Sequence, residues 1–419
     1  MSRLRRLRGR ASLPFILVTM AIDALCFGII IPVLPDLVHE VAHAPVAETS
    51  LYLGLTFGLF SLMQFLGAPV VGGLSDRFGR RPVLLGSLAL LGINALLWVG
   101  VDSLAGLIAL RIYAGLCAAT VSTASAYVGD VTPPERRAQA FGLLGATFGL
   151  GFVAGPVIGG LLGAVWIRLP FLASAGLIGC NLLYGLLLLP ESLPPERRRP
   201  FDWRRANAFA SLRAVRHAPD MLRPIFAWCC TWFAISASQT SFILANQLRF
   251  GWSTLQNGLA LALMGVIQAL VQGVLLRLAT RRLGVHRTAL VGYGASVAGF
   301  LLYAGASRPW LMLLGIVVLS IGALGGPSVQ SMVSADTPAN RQGELQGTLA
   351  SLQGLMLVLG PPVMGSLFAF GTRPGHARFA GAPFLLSALI CLGALLALLR
   401  LRPAAGRAEG ALPEGGLSR

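Results

Sequence analysis

Two ionisable residues sit where charge is expensive. Asp23 and Arg111 each lie deep inside a long apolar run, and no other carboxylate or arginine does so. A charge in the middle of a membrane helix is costly unless it is paired, so such residues point to function. A carboxylate there can take up and release a proton, with a proton affinity that answers to burial and to neighbouring charge. An arginine does not deprotonate. Arg111 therefore cannot carry a proton, but it can tune a carboxylate or hold an anion. The plainer readings are an aspartate capped by hydroxyls or backbone and a purely structural ion pair.

A second group is dense rather than buried. Gly73-Leu74-Ser75-Asp76-Arg77-Phe78-Gly79-Arg80-Arg81-Pro82 places one acid and three arginines between two apolar runs. So short and charged a stretch is expected as a loop at a membrane surface. Its glycines would allow a sharp reversal, Pro82 would sit in the first turn of the next helix, and Asp76 would face that helix's positive N-terminal end. Tyr127, Asp130, Arg136 and Arg137 are expected at the same surface. Together with Gly73, Asp76, Arg77, Gly79, Arg80 and Arg81 they would form a network that closes one side of a cavity. Single surface pairs contribute little, but a network broken in one conformation can bias a two-state equilibrium.

A third group is small. Gly151, Gly155, Pro156, Gly159 and Gly160 fall within one apolar run. Glycine is costly inside a helix, yet at small-xxx-small spacing it lets another helix come close. Proline leaves a carbonyl unpaired and bends the helix. Among polar residues within spans, Gln64, Gln239 and Gln268 are expected to line a cavity, with interhelical hydrogen bonds an equally good account.

These residues need elements to position them. The chain has 419 residues, 55% hydrophobic and 12% charged, against about 25% charged in a soluble domain. Apolar content covers the whole length, which predicts an all-α membrane protein. A crossing takes about 20 apolar residues. Spans are expected near 13–38, 50–74, 83–101, 104–129, 138–164, 169–189, 223–247, 255–279, 287–306, 309–334, 343–369 and 380–399. The first run reads as a retained helix, since no small-residue cleavage site follows it. Domains are expected as a six-helix half over 1–189, a linker over 190–222 with a short amphipathic helix near Asp202 to Arg216, a second half over 223–399, and a disordered tail over 400–419.

Charge sets orientation. The net charge is +17 and every one of the 33 basic residues is arginine. Twenty-seven fall at the termini, in the middle stretch and in loops after even-numbered spans, against five on the opposite side. That asymmetry predicts cytoplasmic termini and removes the nucleic-acid reading of the charge. The six cysteines lie in apolar runs without metal or disulfide spacing and read as small core residues.

The chain also repeats itself. At an offset of 205 residues, Thr132-Pro133 falls on Thr337-Pro338, Gly155-Pro156 on Gly360-Pro361, Gly160 on Gly365, and Arg77 and Gly79 on Arg282 and Gly284. The same offset places spans one to six on spans seven to twelve, so the chain reads as two six-helix halves.

The decapeptide at 73–82 resembles the loop between the second and third helices of the major facilitator superfamily, in the form found in drug/proton antiporters. Leu110 to Gly115 resembles that group's fourth-helix R-x-x-x-G motif, linked to proton coupling. Gly151 to Gly160 resembles its fifth-helix antiporter motif. Most of the chain is similar to the tetracycline/proton antiporters of Gram-negative bacteria, through Asp23 to Pro35, Met63 to Pro82, Arg111 to Gly115, Ala126-Tyr127, Glu135-Arg136, Phe148 to Gly160, Leu189 to Ser192 and Arg341 to Gly347. Two positions depart. The family carries aspartates on the third and ninth helices, and Asn94 and Ser296 stand there. Those antiporters export a metal–tetracycline cation, for which a pathway lined by Asn94 and Ser296 is poorer.

The resemblance implies a twelve-helix major facilitator fold in a bacterial inner membrane, exporting a small amphipathic compound in exchange for protons. Asp23 would carry the proton with Arg111 as its electrostatic partner. No cofactor is expected, the proton gradient being the energy source; the partners would be substrate, protons and lipid, with the chain a monomer. A metabolite importer or symporter on the same fold is the alternative, since fold does not set direction. A membrane sensor would need a sizeable soluble domain, and the longest polar stretch is 190–222. An enzyme would need a nucleophile–base pair, a phosphate loop or a metal cluster, and none is evident.

Overall fold

A computed structural model describes residues 13–118, 120–133, 136–201, 221–335, 337, 342–373 and 379–401. The expected amphipathic segment at 202–216 and the tail beyond Leu401 lie outside these residues. The elements are α1 (Leu13–Ile30), α2 (Leu34–Ala42), α3 (Val46–Phe78), α4 (Arg80–Val99), α5 (Leu104–Cys117), α6 (Thr120–Val131), α7 (Arg137–Val165), α8 (Leu169–Leu188), α9 (Leu222–Phe250), α10 (Thr254–Leu270), α11 (Leu276–Gly305), α12 (Pro309–Ile321), α13 (Gly325–Ala335), α14 (Gln342–Thr372) and α15 (Ala382–Leu399). Ten stretches are long and apolar enough to cross a membrane. One of them, Thr254–Gly305, is 52 residues, twice what a single crossing needs. It reverses at Gly284, whose φ is +79°. With α9 as a further crossing, twelve spans result.

Helix is the state that satisfies every backbone group in lipid. The long spans nevertheless break at defined places. The first is interrupted at residues 31–33, around Pro32, between α1 and α2. The fourth breaks between α5 and α6 near Ala118, and the tenth between α12 and α13 through a 3₁₀ turn, Gly322–Leu324. Positions 118 and 323 are one repeat offset apart. The reversals match in the same way: Gly79 has φ +104° and ψ 159°, Gly284 φ +79° and ψ 162°. These are glycine conformations, so pseudo-symmetry extends to the local backbone.

We call the surface next to the α3–α4 reversal the terminal side, and its opposite the far side. The largest apolar cluster lies on the far side and draws on both halves, including Leu34, Leu37, Leu53 and Phe171 with Phe242, Leu261, Phe368 and Phe384. On the terminal side each half has its own cluster. Ile16, Met20, Tyr127 and Leu144 belong to one; Trp228, Tyr293, Val333 and Leu349 belong to the other. The halves are thus joined on the far side and separate on the terminal side.

Two helix crossings make the joint. In α7, Gly151, Gly155 and Gly159 lie against Ala24, Gly28 and Ile29 of α1 within one half. One side over, Pro156 and Gly160 meet Gly258 and the Thr254–Leu255 backbone of α10 in the other half. The second crossing mirrors the first. Gly360 of α14 meets Ser236 of α9, while Pro361, Pro362 and Gly365 meet Gly54, Gly58 and Ser50 of α3. A Cβ on Gly54 or Gly258 would collide with a proline carbonyl, of Pro361 or Pro156.

The α7 stripe that touches α10 runs on through Gly149, Gly145 and Gly142, where an added Cβ would meet nothing within 4 Å. The spans diverge there, opening a cleft to the terminal side. Gly54→Ala and Gly258→Ala are each expected to cost the closed far side about 1–3 kcal/mol. Pulsed electron paramagnetic resonance between spin labels at Glu48 and Arg373 should then show a longer mean distance.

Candidate functional site

The charged decapeptide is not a loop. α3 runs through Phe78 and α4 starts at Arg80, so Gly79 alone is non-helical. Asp76 accordingly lies in the last turn of α3 and not at the N-terminus of the following helix, as its sequence suggested. Pro82 does fall in the first turn of α4. The centre of the network is Arg80, whose side chain is only 11% exposed. Its Nη1 donates to Asp76 Oδ1 at 2.6 Å and to Ser75 Oγ at 2.9 Å, and its Nε to Asp130 Oδ2 at 3.0 Å.

Glu191 completes the arrangement. Its Oε1 accepts from the backbone N–H of Arg80 at 2.9 Å and from those of Ser192 and Leu193 at 3.0 Å each. Ser192 Oγ donates to Asp130 Oδ2 at 3.2 Å, and the Arg199 N–H to the Asp76 carbonyl at 3.1 Å. A side chain at Gly79 would strike the Glu191 carboxyl, and one at Gly73 would press on the Phe201 ring. Arg81 donates to the Leu186 carbonyl at 2.8 Å. Arg77 lies 5.1 Å from the Phe78 ring centroid, and Arg136 is exposed and pairs with no acid among the described residues.

Among the described residues, every hydrogen bond of this network lies in the first half or in the stretch that leaves it. It binds α3, α4, α6 and residues 190–199 into one block; it does not reach across the cleft. Reading for membrane charge passed over Glu191 because it follows a span. The excess of three arginines over one acid in the decapeptide was the signal for a second acid nearby.

The two intramembrane charges are not partners. The Asp23 carboxylate accepts from Thr120 Oγ1 at 3.0 Å, and Thr120 opens α6 just past the break in the fourth span. Arg111 lies nine residues before Thr120, about 13 Å back along the span. It makes no ion pair with Asp23. Its guanidinium carbon instead lies 5.1 Å from the Trp98 ring centroid, 5.2 Å from Phe57 and 5.9 Å from Phe60. Asp23 sits one turn to the terminal side of the Gly28–Gly155 contact, where the cleft begins. Phe27, 41% exposed, lies beside Phe152 there with centroids 6.4 Å apart.

Asn94 and Ser296 do not line the cleft. Asn94 is buried; it donates to the Leu110 carbonyl at 3.0 Å and accepts from Trp98 Nε1 at 3.0 Å. The Ser296 hydroxyl packs against Gly322 of the tenth span. The third and ninth spans lie at the outside of their halves, α4 against α8 and α11 against α12 and α15. Their inward polar residues therefore meet neighbours of the same half. Gln64 donates to the Ala118 carbonyl at 3.1 Å, satisfying the broken fourth span. Gln239 is exposed and Gln268 half-buried, and neither side chain makes a hydrogen bond among the described residues. Gln268 lies one turn beyond Gly265, which packs against Val153 of α7, toward the terminal side.

A clasp on the far side escaped the sequence reading. Asp36 in α2 accepts from Gln247 Nε2 through Oδ1 and from Thr254 Oγ1 through Oδ2, each at 2.6 Å. One carboxylate thus ties the first half to both ends of the α9–α10 turn. Asp36→Ala is expected to weaken far-side closure by about 1.5–3 kcal/mol, seen as faster amide hydrogen exchange over 34–42 and 254–262, with Asp36→Asn intermediate. Gly79→Ala forces a side chain into a glycine-only conformation and is expected to cost about 1–3 kcal/mol, read as a lower unfolding temperature.

A family profile described as the Major Facilitator Superfamily matches residues 16–309 and 250–418. The Escherichia coli tetracycline resistance protein, class C, is 38% identical over 398 residues, which cover 93% of this chain and 97% of the relative. The class B protein of Escherichia coli is 31% identical over 355 residues, covering 84% and 87%. Among solved structures, the human organic anion transporter MFSD10 superposes with a TM-score of 0.68 at 25% identity, covering 92% of this chain and 98% of that one. The profile spans both halves and the joint between them: the chain belongs to the major facilitator superfamily.

Proposed function

We propose that the chain is a proton-coupled antiporter that exports a small amphipathic compound across a bacterial inner membrane by alternating access, with both termini cytoplasmic. The observation that carries this reading is Asp23. It is a carboxylate at the inner end of the cleft, held by one hydroxyl and paired with no cation among the described residues. A carboxylate locked in an ion pair would resist protonation, whereas one held by a single hydroxyl can exchange a proton when the cleft admits water. The relatives named as tetracycline resistance proteins support the drug-export part.

Alternating access needs two faces that open in turn. The far side is held by the two glycine–proline crossings and the Asp36 clasp, and the terminal side stands open. That is an arrangement ready to take up cargo from the cytoplasm. The block built around Arg80 would move as one body, so that the first half rocks rigidly against the second.

The test is drug-triggered proton release in inverted membrane vesicles, using a panel with tetracycline and several amphipathic drugs. At least one compound is expected to give a pH signal, and Asp23→Asn to abolish it. A signal that survives in the mutant would remove Asp23 as the carrier, and silence with every compound would remove the antiport reading.

A further inference from the structure

The fourth span carries a charge with no counter-charge. Arg111 is 7% exposed, makes no hydrogen bond to any other described residue, and its Nε is sealed without a partner among them. Three aromatic rings surround the guanidinium. Cation–π contact is worth about 0.5–2 kcal/mol. It offsets part of the cost of a buried charge but supplies no acceptor for the N–H groups. The polar side chain bonded to Trp98 in this cluster is Asn94, which is neutral, and both ends of its amide are already used by the Leu110 carbonyl and Trp98 Nε1. Asp23 is spent on Thr120 farther along the span.

We infer that Arg111 and its rings form the binding site for an anionic group, a carboxylate or sulfonate on an aromatic cargo. This inference rests on the export reading above and narrows its substrate class. A planar guanidinium with free N–H groups accepts an oxyanion through paired, charge-assisted hydrogen bonds. The half-buried Phe57 and Phe60 offer faces for an attached ring, while Trp98, stacked on Phe171 at 5.1 Å, backs the guanidinium. An anion entering here neutralises a charge the fold leaves open, a neutral compound gains only ring contact, and a cation is repelled. Preference for anions is the reverse of what a pathway lined with carboxylates would show. The site also lies in the first half, between the third and fourth spans and α3, clear of the proton group, so cargo and proton need not compete for one atom.

The experiment uses the full chain in lipid nanodiscs with three matched probes: 1-naphthoate, its neutral amide 1-naphthamide, and the cation 1-naphthylmethylammonium. Calorimetric titration, corrected with empty discs, is expected to show naphthoate binding about tenfold or more tighter than either other probe. Arg111→Gln should erase that preference and Arg111→Lys keep part of it. Asn94→Asp, which sets a carboxylate beside the guanidinium without removing it, should erase it too and favour the cation. Equal binding of the three probes, or a preference that survives Arg111→Gln, overturns the anion site. Should Arg111→Gln fail to fold, the Asn94→Asp comparison decides alone. Proton release measured separately keeps the two readings apart: naphthoate preference without any drug-driven proton signal leaves this site standing and removes antiport.

Discussion

Backbone-on-backbone contact between the halves is the constraint on which the rest of this structure depends. Gly258 meets the Pro156 carbonyl and Gly54 meets the Pro361 carbonyl. Side chains cannot intervene at these points, so the crossings themselves are narrow ridges with room only for hydrogen, and side chains of both halves pack around them on the far side. In lipid, helices gain little from hiding apolar surface from one another, and close van der Waals contact between small residues becomes the main source of association. Contact concentrated in this way leaves the remaining length of each helix free. The terminal-side parts of α7 and α10 can diverge because their far-side parts already hold.

Much of this was legible in the sequence, for definable reasons. Long apolar runs located the spans, and the repeat offset matched not only motifs but the two reversing glycines, Gly79 and Gly284. The glycines of α7 were recognised as packing residues. Their division into one face toward α1 and another toward α10 was not, because spacing along one helix does not say which neighbour stands opposite. The decapeptide was misjudged as a loop because charge was equated with non-helical structure. A helix that protrudes from the membrane can carry charges in its last turn, and here it ends only where Gly79 turns it.

The polar residues were harder to place. Asn94, Ser296 and Gln64 have the composition of cavity residues, yet each spends its hydrogen-bonding or packing capacity on the half that contains it. Inward-facing is not the same as cleft-facing, and a single sequence distinguishes the two only when the order of helices around the cleft is known. Asp23 and Arg111 were expected as a pair because both are rare. The break in the fourth span sets them on separate levels, which turns one presumed ion pair into two sites with different chemistry. Asp36 does not stand out in the sequence because it sits in the last residues of the span expected over 13–38, where acids are ordinary; its importance comes from the partners that the second half brings to it.

The mirrored crossings have one more consequence. Each half carries both a proline-bearing ridge, α7 or α14, and a glycine-bearing groove, α10 or α3, and each ridge seats in the other half's groove. A surface that holds both knob and socket is self-complementary, the condition met by the two faces of a twofold dimer. In assembly terms, this chain is a dimer whose subunits have been fused. The fusion raises the effective concentration of one half around the other, so two narrow ridges suffice where separate subunits would need a broad interface. The same economy frees the surfaces between the ridges to diverge independently, one half keeping Asp23 and Arg111 while the corresponding positions of the other carry no charge.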